Sequence, residues 1–273
     1  MSSPFIQLDG RFFRQEEKIF TAHDFECLLF TETLRAIRNQ FMFWDEHLAL
    51  IDLQFQLLNQ PTPALLKNEA KELKRQLERT LVKNKLFKSA RIDVCFFKKN
   101  SNTSFLIKTE EIPETAYAWN TDGITLGVFD KIGKANSPLS ALRLGSESYW
   151  QILRAASPTP STELILQNTE CSLLEVPGSN LFLINGNTVS TPAPETGVFI
   201  SPARHAVRQI CQKEGLNFQE DRFLSPDDLL KADEVFLADD LQGIRWVKAF
   251  GMKRYFNKTV KIINDALNRE LVQ

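Results

Sequence analysis

The chain has 273 residues with a formal net charge of −1, and 43% of its residues are hydrophobic and 25% charged. This is the balance of a globular protein with one large domain or two medium ones, and it gives no electrostatic reason to expect nucleic acid as a partner. No apolar run approaches the length that crosses a membrane, and the N-terminal segment lacks a basic-then-apolar signal, so we expect a cytoplasmic protein with no membrane contact.

The first half of the chain predicts a mixture of strands and helices. Asp9-Gly10 separates two short apolar segments and predicts a β-hairpin. Alternation from Phe30 to Ile37 predicts a strand, and helical spacing of apolar residues begins after Asp45. The further elements expected here are a charged amphipathic helix over 63–83 and strands over 90–98 and 103–108.

The second half is expected to begin after a connection at about residues 115–122. Ile124 to Phe129 predicts a strand, and an irregular stretch rich in Gly, Asn and Ser follows it over 130–138. Ser201-Pro202 has the residue types of a helix start, with the helix ending at Gly215. The remaining elements expected are helices over 147–156 and 257–271, a short helix capped by residues 225–228, and strands over 162–167, 172–175, 180–184, 188–190, 234–238 and 244–249.

Cysteine and histidine residues give no pattern of a disulfide framework or metal site. The cysteines at 27, 95, 171 and 211 are isolated in sequence, and no C-x-x-C pair occurs. Each has apolar or helical neighbours, so buried free thiols are expected. The three histidines lie far apart, without metal-ligand spacing.

An ordered series of segments nearly spans the chain and resembles the class IV aminotransferase family, which includes branched-chain and D-amino-acid aminotransferases and aminodeoxychorismate lyase. The segments are FTETLR (30–35), DEHL (45–48), EVPGSNLFLING (175–186), VSTP (189–192), ADEVFL (232–237) and GIRWV (243–247). The resemblance implies an α/β fold of type IV with a small N-terminal domain over 1–117 and a larger C-terminal domain over 118–273. It also implies a homodimer and a pyridoxal-phosphate (PLP) pocket between the domains.

The resemblance implies four roles in the pocket: a lysine that forms the Schiff base, a glutamate that pairs with the pyridine nitrogen, an arginine that holds the phosphate, and a helix start with a hydroxyl residue that completes the phosphate site. Only the glutamate role falls on a residue of the required type. Glu175 stands where the family has the carboxylate that pairs with the protonated pyridine nitrogen, which makes the ring an electron sink. A gap-free count back from Glu175 brings Arg143 to the position of the lysine that forms a Schiff base. A guanidinium stays protonated and offers no free amine. Lys131 and Lys134 lie upstream and could take that role only if the alignment shifts.

The phosphate positions of the family are also changed in this sequence. The family's arginine position falls on Leu50, and the hydroxyl position falls on Asp240, whose charge would repel a phosphate. The helix start at Ser201, Pro202 and Ala203 keeps its attraction for an anion, although Pro202 removes one N–H. If the alignment slips, ordinary anchors could lie nearby, and the alternatives are Thr31, Thr33, Arg35 and Arg38.

Together the substitutions predict a degenerate member that uses no PLP. In that case Arg143 is expected to reach across the site and pair with the buried Glu175. Asp239 and Asp240 would either form an acidic lip for a small amine or amino-acid ligand, or lie as solvated loop residues, which is the commoner situation. The alternative function is an active PLP-dependent aminotransferase or 4-amino-4-deoxychorismate lyase with an unconventional cofactor site.

Overall fold

The computed structural model describes residues 3–19, 26–221 and 223–271. The chain divides into two compact units, Met1–Ala116 and Tyr117–Gln273, where the sequence expectation placed the boundary after residue 117. None of the helices in the described ranges combines the length and apolar character that crossing a bilayer would require.

The first unit is built on a six-stranded sheet of order β2-β1-β6-β5-β3-β4. Its strands are β1 (Phe5–Leu8), β2 (Arg11–Arg14), β3 (Cys27–Ile37), β4 (Gln40–Phe41), β5 (Ser89–Lys99) and β6 (Asn102–Glu111), and its helices are α1 (Trp44–Leu57) and α2 (Lys67–Lys83). The hairpin expected at Asp9-Gly10 joins β1 to β2, with both turn residues at positive φ. The predicted helix over 63–83 is instead a short 3-10 turn at Ala64–Leu66 followed by α2.

The core of the first unit forms where the inward side chains of its sheet meet its helices. Phe30 and Phe96 come from neighbouring strands and Phe55 comes from α1, with ring centroids 5.0–5.1 Å apart. All three rings are fully buried. The alternating apolar residues of β3 and the helical spacing of α1 therefore meet in one aromatic cluster, as binary patterning predicts.

In its described residues the second unit contains a nine-stranded sheet and four α-helices. Its strands are β7 (Ile124–Lys134), β8 (Thr162–Asn168), β9 (Leu173–Val176), β10 (Ser179–Asn185), β11 (Thr188–Pro192), β12 (Asn217–Asp221), β13 (Glu234–Asp239), β14 (Gly243–Phe250) and β15 (Lys253–Arg254). Its helices are α3 (Arg143–Ala156), α4 (Pro202–Lys213), α5 (Pro226–Lys231) and α6 (Lys258–Leu271). The sequence expectations did not include β12 or β15.

The sheet of the second unit closes on itself. Strand β9 pairs with β8 on one side and with β10 on the other, so β10, β13, β14, β7, β8 and β9 form a ring. Apolar residues from these strands fill the interior, among them Ile165, Leu181, Leu237 and Val247. Closure removes free sheet edges from this ring.

Two expectations about this unit were wrong in their extent. Strand β7 does not stop at Phe129 but continues to Lys134, through the stretch that was expected to be irregular. Helix α3 begins at Arg143 rather than at 147. Both extensions lie beside the region that the resemblance marks as functional.

Candidate functional site

The end of strand β7 places a lysine inside the second unit. β7 runs parallel to β8, and the register between them shifts between Phe129 and Gly133, so that the strand carries extra residues there. Such an irregularity changes which face the following side chains occupy. As a result the Lys134 side chain lies toward α3, where it contacts Ser146, and its residue is only 1% exposed, whereas Lys131 is exposed.

The Lys134 ammonium group makes three hydrogen bonds. Its Nζ donates to Glu175 Oε1 at 2.7 Å, to the backbone O of Ser140 at 2.8 Å and to Ser146 Oγ at 2.8 Å. A protonated lysine has three N–H donors and no acceptor. The three acceptors around Nζ therefore match an ammonium group and use all of its donors.

The turn that precedes α3 supplies one of these acceptors, and the first turn of α3 supplies another. Ser140 lies in a tight turn in which its own Oγ donates to Ala135 O at 2.7 Å, and Ser146 Oγ donates back to Leu142 O at 3.0 Å. A Cβ added at Gly145 would overlap the backbone O of Leu139, so glycine is needed for the turn to pack against the first turn of α3. The local sequence thus builds a rigid receptor for the Lys134 side chain.

The second partner in the pair, Glu175, lies on β9 and is completely buried. Its Oε1 accepts from Lys134 and, at 3.3 Å, from Trp150 Nε1, while its Oε2 accepts from the backbone N–H of Phe199 at 2.7 Å. Both carboxylate oxygens are therefore bonded within the protein. A buried charge needs such partners because burial without them is expensive.

Burial acts on the protonation of Lys134. Desolvation lowers the pKa of Lys134 below the ordinary lysine value, and the charge and hydrogen bond of Glu175 act in the opposite direction. The net direction is downward because the group is removed from water almost completely. The contacts of Nζ nevertheless fit the charged form, since each surrounding atom is an acceptor.

Arg143 does not pair with Glu175, and the sequence-based prediction of that contact was wrong. Its Nη1 lies 3.3 Å from Glu147 Oε2, one helical turn along α3, and its guanidinium carbon lies 5.3 Å from the ring centroid of Trp150. The physical reason is that Lys134 already occupies the carboxylate. The arginine instead stacks on the indole whose N–H reaches Glu175, a preferred contact for a planar cation.

The start of α4 holds another internal contact. The backbone N–H of Ala203 donates to Asp240 Oδ1 at 2.7 Å, and Arg204 N donates to Ser201 O at 3.1 Å. Pro202 has no N–H to offer. Ser201 is the N-cap residue but its side chain makes no capping hydrogen bond, and its Oγ is buried without a partner among the described residues. Of the four sequence-predicted positions here, Ala203 and Asp240 are directly joined.

Asp239 and Asp240 are not solvated loop residues, which corrects that expectation. They are 6% and 7% exposed. Asp239 Oδ1 accepts from the backbone N–H groups of Leu241 at 2.9 Å and Gln242 at 2.7 Å, and its Oδ2 accepts from Ser179 Oγ at 2.7 Å. The two carboxylates therefore organise the turn after β13. They are not exposed to bind an amine, so the structure does not support the predicted acidic lip.

The remaining predicted positions lie in the first unit. Leu50 is a half-buried residue of α1 and carries no charge. Among the alternative anchors, Arg35 donates to Ser89 Oγ at 3.1 Å and to the backbone O of Glu114 at 2.8 Å, and Thr33 donates to Asp93 at 2.7 Å. These two side chains are thus committed to contacts within their own unit.

Metal binding finds no support in the described ranges, which contain no group of His, Cys, Asp and Glu residues able to hold an ion. His23 lies outside the described residues. His47 is buried and its Nδ1 lies 2.7 Å from Glu32 Oε1, which is a structural contact within the first unit. The expectation of buried thiols was wrong for Cys27 and Cys171, which are exposed, and was confirmed for Cys211, which is buried, while Cys95 is half-buried.

Residues 29–250 match the model of the amino-transferase class IV family. The chain belongs to this family. A branched-chain amino acid aminotransferase 1 from Humulus lupulus is 31% identical over 87 residues, and a probable branched-chain-amino-acid aminotransferase from Aquifex aeolicus is 35% identical over 75 residues. These matches cover 32% and 28% of the chain but only 21% and 24% of the two relatives, so the chain is aligned with about a quarter of their length or less.

Solved structures share the whole fold with this family member. The branched-chain aminotransferase of Escherichia coli gives a TM-score of 0.80 at 18% identity, covering 97% of this chain and 92% of that one. An aminotransferase from Brucella abortus bound to the cofactor PLP gives 0.80 at 18% identity, covering 99% of both chains. The predicted fold of type IV is therefore confirmed, and at this identity the likeness concerns the fold alone.

Proposed function

We propose that this class IV aminotransferase family member does not use PLP, because an internal ion pair engages Glu175, the carboxylate that would pair with the ring nitrogen. The Lys134–Glu175 contact of 2.7 Å is the observation that carries this proposal. The protein is then a degenerate, non-catalytic representative of its family rather than a transaminase.

PLP chemistry needs a lysine amine that is free to react and a carboxylate that is free to pair with the ring nitrogen. In this chain the buried lysine and the carboxylate are bonded to each other. The other donors of Lys134 are used by Ser140 and Ser146, and the second oxygen of Glu175 is used by Phe199. These contacts support the proposal, because a ring inserted here would have to break them.

Arg143, which the resemblance places at the family's lysine position, supports the same proposal. Its guanidinium cannot lose a proton at any accessible pH and so cannot act as an amine nucleophile. Its contacts with Glu147 and Trp150 also direct it away from Glu175. The only lysine among the described residues whose Nζ bonds to Glu175 is Lys134, which comes from a different element.

A second candidate function is an active PLP-dependent aminotransferase or 4-amino-4-deoxychorismate lyase in which Lys134 carries the cofactor. One observation favours it: burial lowers the pKa of Lys134, and a lowered pKa is a common property of reactive lysines. This function requires Lys134 to exchange Glu175 for the cofactor. Homodimerisation and a cytoplasmic location accompany either function as proposals taken from the family resemblance, and a small amine or amino acid is the proposed ligand class of this second function.

Reaction with borohydride distinguishes the two functions. The purified protein is incubated with excess PLP, reduced, and analysed by absorption and intact mass, beside a branched-chain aminotransferase treated in the same way. We expect no visible Schiff-base absorption band. We also expect the same mass change after reduction in the wild type and in Lys134→Met, because no cofactor is fixed to Lys134. Surface lysines can be modified without specificity, so Lys131→Met serves as the matched control. Cofactor fixed to Lys134, and lost only in Lys134→Met, would establish the second function.

A further inference from the structure

The first turn of α4 already has an anion in contact with one of its backbone N–H groups, that of Ala203. A helix start attracts anions because its first N–H groups lack helical partners and the helix dipole is positive there. At α4 the acceptor is the Asp240 carboxylate, 2.7 Å from Ala203 N. Both residues are buried, Ala203 at 1% and Asp240 at 7% exposure.

The N-cap residue of α4 shows that this carboxylate has displaced an ordinary cap. A serine at the N-cap usually accepts a hydrogen bond from the second or third N–H of the helix. Ser201 makes no such bond, because Asp240 takes the N–H of Ala203. The Ser201 hydroxyl is 1% exposed and has no partner among the described residues. A buried, unused hydroxyl beside a helix start is a group that a bound oxyanion would satisfy.

The backbone around Asp240 holds the carboxylate in place. Tyr117 Oη donates to the backbone O of Asp240 at 2.8 Å, and the Tyr117 ring lies against Gly243, where an added Cβ would overlap it. Gly243 has a φ of +72°, which favours glycine. The turn from Asp240 to Gly243 is thus locked by packing, and the position of the carboxylate is part of the fold.

The arginine of the same helix turn is committed elsewhere. Arg204 donates to the backbone O of Pro192 at 2.7 Å, to Glu220 Oε1 at 2.9 Å and to Thr191 Oγ1 at 3.1 Å. It therefore bridges β11 and β12 and is buried there. An external anion that approached the α4 start would meet the negative charge of Asp240 while this cation is turned toward the sheet.

We propose that the Asp240 carboxylate is the resident anion of the α4 start and excludes external oxyanions, phosphate monoesters in particular, from it. A second anion within a few ångströms would meet both the charge and the volume of this side chain. The site therefore selects against phosphorylated ligands of any kind. Replacing Asp240 by a small neutral residue converts it into an oxyanion site that uses Ala203 N and Ser201 Oγ.

The test uses the full chain, with inorganic phosphate as the probe. Phosphate is titrated into the wild type, Asp240→Ser and the double variant Asp240→Ser/Ser201→Ala, followed by calorimetry and by the amide resonance of Ala203. Asp233→Ser is the matched control, because Asp233 also accepts a backbone N–H, that of Gly186, and its removal changes the net charge equally. Asp240→Ser is expected to bind phosphate at least about tenfold more tightly than the wild type and the control.

The phosphate titrations have one set of outcomes that supports the proposal and one that overturns it. Phosphate should shift the Ala203 resonance in Asp240→Ser, and loss of the Ser201 hydroxyl should weaken that binding. Equal phosphate affinity of the wild type and Asp240→Ser, or binding that leaves Ala203 unshifted, would overturn the proposal. If Asp240→Ser does not fold, Asp240→Asn replaces it, because asparagine keeps the shape of the side chain but loses the charge. Addition of phosphate must then shift the Ala203 amide resonance in Asp240→Asn more than in Asp233→Asn. An Ala203 resonance that phosphate does not shift in Asp240→Asn would also overturn the proposal.

This inference is separable from the proposed loss of PLP chemistry. Phosphate binding to Asp240→Ser concerns α4, whereas reduction with borohydride concerns Lys134. A variant that gains phosphate and still fixes no PLP would agree with both proposals. A wild-type protein that fixes PLP on Lys134 while Asp240→Ser gains no phosphate would contradict both.

Discussion

Replacing Lys134 by methionine tests how much the buried ion pair contributes to stability. Methionine keeps the length of the side chain but removes the ammonium group, so Glu175 Oε1 keeps only Trp150 Nε1, at 3.3 Å, among its described side-chain donors. Removing one partner of a buried pair costs about 3–5 kcal/mol because the remaining charge is uncompensated. In a unit of this size that corresponds to a fall in Tm of roughly 6–20 °C.

A double-mutant cycle separates the pair from its surroundings. Urea and thermal unfolding are measured for Lys134→Met, Glu175→Gln and the double variant, followed by the near-UV signal of buried aromatic residues. The double variant should be more stable than the sum of the single losses predicts, with a coupling of about 1–3 kcal/mol, because neither charge is then left alone. Lys131→Met changes an exposed lysine of the same strand and should stay within about 0.5 kcal/mol of the wild type.

Two results would refute this reasoning. One is a loss of stability in Lys134→Met that does not exceed that of Lys131→Met. The other is strict additivity of the Lys134 and Glu175 substitutions, which would mean that the two groups do not interact in solution.

Two further predictions concern groups outside the ion pair. In the native protein a thiol reagent at pH 8 should modify the exposed Cys27 and Cys171 quickly, while Cys211 reacts only after unfolding, because burial raises the pKa of its thiol to about 12 and leaves almost no thiolate at that pH. Fast modification of Cys211 in the folded protein, located by peptide mapping, would contradict this. Ser225→Ala should cost about 1 kcal/mol in urea unfolding, since it breaks the capping box of α5, whereas an unchanged midpoint would show that the cap contributes nothing.

The sequence predicted the fold well because periodicity and turn chemistry are local properties. The Asp9-Gly10 hairpin and the apolar faces of β3 and α1 could be placed from spacing alone. The order of the family segments then indicated the remaining strands. Strand β12 was missed because four of its five residues are polar or charged, so it has no apolar alternation to recognise.

The site was predicted only in part, and the reason is one irregularity of the backbone. Glu175 was identified from its motif, and Lys134 was considered only as a displaced alternative. The shift in register between β7 and β8, after Phe129, turns Lys134 into the interior, and a change in strand pairing of this kind has no signature in composition or spacing. Arg143 was therefore assigned the partner that Lys134 takes.

Asp240 shows a different limit of sequence reasoning. Its charge suggests an unfavourable environment for phosphate, which stays a prediction, but the sequence could not show that the carboxylate bonds to Ala203 N. That contact depends on the turn held by Tyr117 and Gly243, which are far apart along the chain. Long-range packing of this kind decides whether an aspartate is solvated or buried.

A crystal structure of the protein grown with excess PLP tests the central claim most directly. The account predicts electron density for Lys134 Nζ at hydrogen-bond distance from Glu175, with no planar ring between the two residues. Continuous density that joins Nζ to a pyridine ring, with Glu175 facing the ring nitrogen, would contradict it.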